Sequence, residues 1–188
     1  MARLPLISLL AWLAGCTAPH APTPAKLGDA RLVDPASHAP FVAAERYRGH
    51  VVVLDFWASW CAQCRETVPQ VARLADAFAA QGLVVIGVNA GDPAAEATTA
   101  AQTFGITYPI ALDPELAFSD RLGASGLPTL LVLDRDGAIV HRAKHVDEPT
   151  LAAIRSQLSS SPSPPPSPSP PPSPPPDAAS PSPAPPPP

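Results

Sequence analysis

The stretch from Val51 to Trp57, "VVVLDFW", is apolar at every position except Asp55 and rich in β-branched residues. Such a run predicts a central strand buried on both faces, of the parallel kind. "LVVIGVNA", residues 83–90, predicts a second strand and "YPIALD", 108–113, a third. "TLLVLDRDGAIVHRAK", 129–144, predicts a hairpin turning at Arg135-Asp136-Gly137. "DARLVD", 29–34, adds an N-terminal strand. Between these runs the apolar period lengthens. Ala62 to Ala80 places Val68, Val71, Leu74 and Phe78 on one helical face. Ala94–Phe104 and Glu115–Leu122 predict shorter helices, and Thr150–Leu158 a closing one through Leu151, Ile154 and Leu158. Strands alternating with helices, with a hairpin at the end, predict an α/β domain: a central mixed sheet flanked by helices.

The two ends break this pattern. Arg3, the apolar stretch Leu4–Leu13 and the small residues Ala14-Gly15 predict a signal peptide over residues 1–15. That stretch is too short for a stable transmembrane helix. "LAGC" resembles a bacterial lipobox, which implies that Cys16 is the lipidated first residue of the mature protein. Residues 16–27 then form a linker and 28–158 a single domain large enough to bury a core. Residues 159–188 hold more than half of the chain's 29 prolines, so they predict a disordered Pro/Ser-rich tail. Extended as polyproline II at about 3.1 Å per residue, it would reach roughly 90 Å. The net charge of −4, without any basic cluster, argues against nucleic-acid binding.

The candidate chemistry lies in "FWASWCAQCRE", residues 56–66. Cys61 and Cys64 open the longest predicted helix, directly after the first buried strand. A cysteine at a helix N-terminus meets unpaired N–H groups and the positive end of the macrodipole, which favour thiolate over thiol. A second cysteine one turn further in can attack the resulting mixed disulfide. Two other uses of the pair compete. A structural zinc needs four ligands, yet there is no second cysteine pair, and His20, His38, His50, His141 and His145 show no ligand spacing. A purely structural disulfide this local closes almost no loop. A redox couple fits the pattern best, and no metal is expected.

At these residues the chain resembles the thioredoxin superfamily, and more narrowly the exported TlpA/ResA-type thiol-disulfide oxidoreductases. The matching elements are "DFWASWCAQC", Pro69 in the following helix, and "GLPTLLVLDRDG" before the hairpin. The helix and strand between Asn89 and Ser119 match the TlpA-type insertion. The resemblance implies a thioredoxin-like fold and a Cys61–Cys64 redox disulfide, with no other cofactor. Cys61 would be the attacking thiolate and Cys64 the resolving thiol. Asp55, desolvated in its strand, would have a raised pKa and accept the Cys64 proton through water. Pro128 would be cis, leaving the Leu127 backbone to pair with an extended substrate. Trp60 would flank the sulfurs, while Trp57 belongs to the core.

Three departures from that family pattern stand out. The dipeptide between the cysteines is Ala62-Gln63, where many relatives carry proline at the second place. Thr67 occupies a position where many TlpA-type proteins carry glutamate; Glu66 sits one residue earlier, turned about 100° around the helix. Many of the same relatives have asparagine where this chain has Asp55, so the acid–base task is expected to fall to Asp55 and Glu66 to be solvated. "ASGLPT" also stands where the cytochrome-maturation branch has its own loop.

The expected function is a monomeric, membrane-anchored reductase of protein disulfides, exported to face the periplasm or cell exterior. It would draw electrons from a membrane thiol donor. A disulfide donor or isomerase is the first alternative. A non-enzymatic Cu(I) carrier is the second; soft thiolates select Cu(I), but the only methionine is Met1.

Overall fold

The computed structural model describes residues 26–160. The signal segment, Cys16, most of the linker and the Pro/Ser-rich segment from 161 onward lie outside the described residues. In chain order the elements are β1 (Arg31–Val33), β2 (Pro40–Val42), α1 (Ala43–Arg46), β3 (Val51–Trp57), α2 (Ala62–Phe78), β4 (Leu83–Ala90) and α3 (Ala94–Phe104). There follow β5 (Ile110–Asp113), α4 (Ala117–Arg121), β6 (Thr129–Leu133), β7 (Ile139–Ala143) and α5 (Glu148–Ser159).

One sheet runs β2-β1-β5-β4-β3-β6-β7. β3 pairs parallel with β4 and antiparallel with β6, and β4 pairs parallel with β5, so the sheet is mixed. The central position of β3 explains its composition: every residue from Val51 to Trp57 is buried. Its side chains alternate between two layers. Val52, Leu54 and Phe56 join Phe118, Leu122, Leu131 and Leu133 on one face. Val51 and Val53 join Val71, Leu74, Phe78 and Ile154 on the other. Trp57 continues that second face into a separate cluster with Cys61, Cys64, Val68 and Phe104. Alternation places Asp55 on the same face, between Val53 and Trp57.

Several boundaries differ from the sequence reading, for identifiable reasons. The segment 29–34 forms β1, but its partner β2 and the short α1 carry too little periodicity to be read in advance. The third strand begins at Ile110, because Pro109 has no N–H for the ladder; its carbonyl still accepts from Gly87 N–H at 2.8 Å. Helix α2 ends at Phe78 and tightens into a 3₁₀ turn over Ala79–Gln81. Pro69 lies inside it and cannot donate to the carbonyl one turn back. The last helix starts at Glu148 because Asp147 caps it, its Oδ1 accepting from Thr150 N–H at 2.9 Å. The β6–β7 hairpin turns at the expected residues. There Asp134 Oδ1 accepts the N–H groups of Asp136 and Ala138, and Gly137 takes a φ of 75°.

Candidate active site

The second apolar face of the sheet leads to the cysteines. Cys61 is the N-cap of α2 and Cys64 sits in its first turn, and the two are joined as a disulfide with Cα atoms 5.3 Å apart. Cys64 N–H, at the head of the helix, is shared between Cys61 Sγ at 3.1 Å and the Cys61 carbonyl at 3.2 Å. Cys64 is fully buried, whereas Cys61 retains 5% exposure beside Trp60, which is 71% exposed. Of the two cysteines, only Cys61 retains any exposure.

Leu127 is half-buried and packs against the cluster containing both cysteines. The Leu127–Pro128 peptide bond is cis. The β3–β6 register ends at Phe56 opposite Thr129, and Leu127 makes no loop backbone hydrogen bond among the described residues. Lys144 Nζ and Thr129 Oγ1 both donate to the carbonyl of Gly126, which fixes the start of this loop. Trp57 is wholly buried, stacked at a tilt against Phe104 at 5.9 Å.

Asp55 is wholly buried on the sheet face that carries the cysteines. Burial pushes its carboxyl up from 3.8 to about 6, partly offset by one hydrogen bond from Tyr108. The Tyr108 hydroxyl donates to Asp55 Oδ2 at 2.5 Å, and burial followed by the neighbouring Asp55 pushes the phenol upward in turn. Asp55 Oδ1 has no hydrogen-bond partner among the described residues, and neither has Trp57 Nε1. Gly87, opposite Asp55 on β4, leaves room for this arrangement. A Cβ there would lie 3.0 Å from Trp57 Nε1 and 3.1 Å from Tyr108 Cε2.

The sequence pattern marks Tyr108 only as the start of a strand, and in the structure it precedes β5. It meets Asp55 across 53 positions, and no local pattern signals so distant a contact. Thr67 is buried and its hydroxyl donates to the Cys64 carbonyl at 3.1 Å, while Glu66 is exposed. Neither therefore offers a second buried carboxylate near the sulfurs. Among the described residues no group of three or more His, Cys, Asp or Glu could hold a metal ion. No helix among them is long and apolar enough to cross a membrane.

Comparison with known proteins agrees with this geometry. The family model described as Redoxin matches residues 20–158. The chain is 33% identical over 93 residues to "Thiol-disulfide oxidoreductase ResA" of Geobacillus thermodenitrificans, covering 50% of this chain and 53% of that protein. It is 29% identical over 93 residues to the Bacillus subtilis protein of the same name, covering 50% and 52%. The matched stretch thus spans about half the length of these curated relatives. Among solved structures, a Chlorobium tepidum protein assigned as thiol:disulfide interchange protein DsbE superposes with a TM-score of 0.63 at 26% identity. That match covers 72% of this chain and 96% of the other. With its thioredoxin-like sheet and its cysteine pair at the head of α2, the chain belongs to the Redoxin family, as a ResA-like member of the thioredoxin superfamily.

Proposed function

We propose that the protein is a thiol-disulfide oxidoreductase that reduces disulfides of exported proteins from a membrane anchor at Cys16. One observation carries the reading: a disulfide-bonded cysteine pair at the start of α2, of which only Cys61 retains exposure and receives a helix-terminal N–H on its sulfur.

In the reduced protein, the Cys61 thiolate attacks one sulfur of a substrate disulfide. A Cys61–substrate S–S bond forms, the substrate's own S–S bond breaks, and one substrate sulfur leaves as thiolate. Cys64 then loses its proton, for which Asp55 is the acceptor, through water. The unpartnered Asp55 Oδ1 and the raised pKa support this role. The Cys64 thiolate attacks Cys61 Sγ, the Cys61–Cys64 bond forms, and the second substrate thiolate departs. Two electrons have passed to the substrate, and a membrane thiol donor must return two. Leu127, whose backbone makes no loop hydrogen bond among the described residues, would pair with an extended substrate strand, and the exposed Trp60 would offer it apolar contact.

The test is turnover of a model protein disulfide such as insulin by the full chain, with dithiothreitol as electron source. Cys61→Ser is expected to reduce turnover to the uncatalysed background. Cys64→Ser is expected to accumulate a mixed disulfide with substrate, held at Cys61. Turnover retained by Cys61→Ser would refute the reading.

A further inference from the structure

The loop that delivers Cys61 is held from outside its own strand and helix. Within it, Cys61 N–H donates to the Ala58 carbonyl at 3.1 Å. Between them, Ser59 is gripped by Asp92, in the loop joining β4 to α3. Ser59 N–H donates to Asp92 Oδ2 at 2.7 Å, and Ser59 Oγ donates to Asp92 Oδ1 at 2.9 Å. Asn89 Nδ2 adds a third bond, to Asp92 Oδ2 at 2.7 Å, while Asp92 N–H donates back to Asn89 Oδ1 at 3.2 Å. Asn89 is fully buried at the end of β4, in register with Trp57, and Asp92 is 5% exposed.

A carboxylate this buried is costly without donors. Asp92 has three and forms no ion pair among the described residues. Both of its oxygens are committed to Ser59, 33 positions away in sequence and two residues before Cys61. A cap or turn anchor for the β4–α3 loop alone would not need to reach across to Ser59.

We propose that Asp92 is a positioning residue for thiol-disulfide exchange: through Ser59 it fixes the Ala58–Cys61 turn, and so holds Cys61 Sγ against the Cys64 N–H. The inference rests on the reading of Cys61 as the attacking thiolate. Its consequence has a sign that distinguishes it from simple electrostatics. Loosening the turn withdraws the N–H that supports the thiolate, so thiolate formation should require higher pH. Removing a nearby negative charge by itself would do the opposite. The other charged groups about the loop stay unchanged in the test: Arg65 on α2 and Glu96 on α3, which line one groove with Ser59, and Asp55 on β3.

The experiment is the pH dependence of iodoacetamide alkylation of the reduced full chain, followed at Cys61 by peptide mass spectrometry and paired with thermal unfolding. Asp92→Asn is expected to raise the half-maximal pH by about one unit, a roughly tenfold smaller acid dissociation constant. Ser59→Ala, which loses only the hydroxyl bond, should shift it the same way by less, about twofold in the dissociation constant. A downward shift, or an unchanged profile in folded protein with only a lower Tm, overturns the proposal. If Asp92→Asn does not fold, Ser59→Ala decides by the same sign. Failure of Cys61 to alkylate ahead of Cys64 in the unaltered protein would instead sink the underlying reading.

Discussion

Asp55 and Asp113 are both buried acids of the same sheet, on β3 and β5, yet their surroundings are opposite. Asp113 ends its strand facing the start of α4, and its carboxylate accepts from Phe118 N–H at 3.1 Å, Ser119 N–H at 2.7 Å and Ser119 Oγ at 2.6 Å. Asp55 stands mid-strand with one donor, Tyr108, and an oxygen that has no partner among the described residues. The first arrangement satisfies a negative charge and spends it on starting a helix. The second leaves the charge poorly supported, which is why burial raises that carboxyl to about 6. A buried acid with a full set of donors is an anchor. One that lacks them, on the sheet face against which a redox pair packs, is suited to exchange a proton near neutral pH.

The strongest way to break this comparison is to neutralise both acids. Asp55→Asn is expected to slow disulfide exchange at pH 7 by about 10²-fold, at the low end of general acid–base contributions. The same change should stabilise the oxidised protein. With the folded pKa raised from 3.8 to about 6, the folded state holds the proton across that window and the unfolded chain does not. Stability therefore falls as pH rises through the window, and the full penalty is present above about pH 6. A shift of about two units corresponds to on the order of 3 kcal/mol at pH 7, vanishing below about pH 4, and urea unfolding at the two pH values would measure it. An unchanged exchange rate in Asp55→Asn would remove Asp55 from the mechanism.

Asp113→Ala should show the reverse pattern. It strands three donors at the start of α4 and is expected to cost about 2–3 kcal/mol, with exchange by the folded fraction unchanged. Gly87→Ala tests the packing around Asp55. The added methyl would press on Trp57 and Tyr108, for an expected loss of about 1–3 kcal/mol in urea unfolding. The smallest effect is expected from Tyr108→Phe. Losing the one hydrogen bond that lowers the Asp55 pKa should move that titration above about 6, with a stability change of about 1 kcal/mol. Carboxylate infrared titration of the oxidised protein would detect it.

The same comparison shows what a sequence can disclose. Strands β3, β4 and β6, helix α2 and the cysteine pair at its head were legible because burial on both faces and helical period leave local traces. Asp55 was legible as well, as the one acid in an apolar run. What surrounds it was not. Tyr108 and Gly87 reach Asp55 through strand pairing and the β5 crossover, which no window of neighbouring residues contains. Asp92 was hidden for the same reason, since its partner Ser59 lies on another loop. The short β2 and α1 lacked enough residues to show a period.

The most direct test of the account is the reduction potential of the Cys61–Cys64 pair in the full chain, equilibrated against dithiothreitol or glutathione buffers. A reductase predicts a value near the roughly −270 mV of thioredoxin. A value near the roughly −120 mV of a strong oxidant would contradict it, reversing the direction of electron flow and making the protein a disulfide donor.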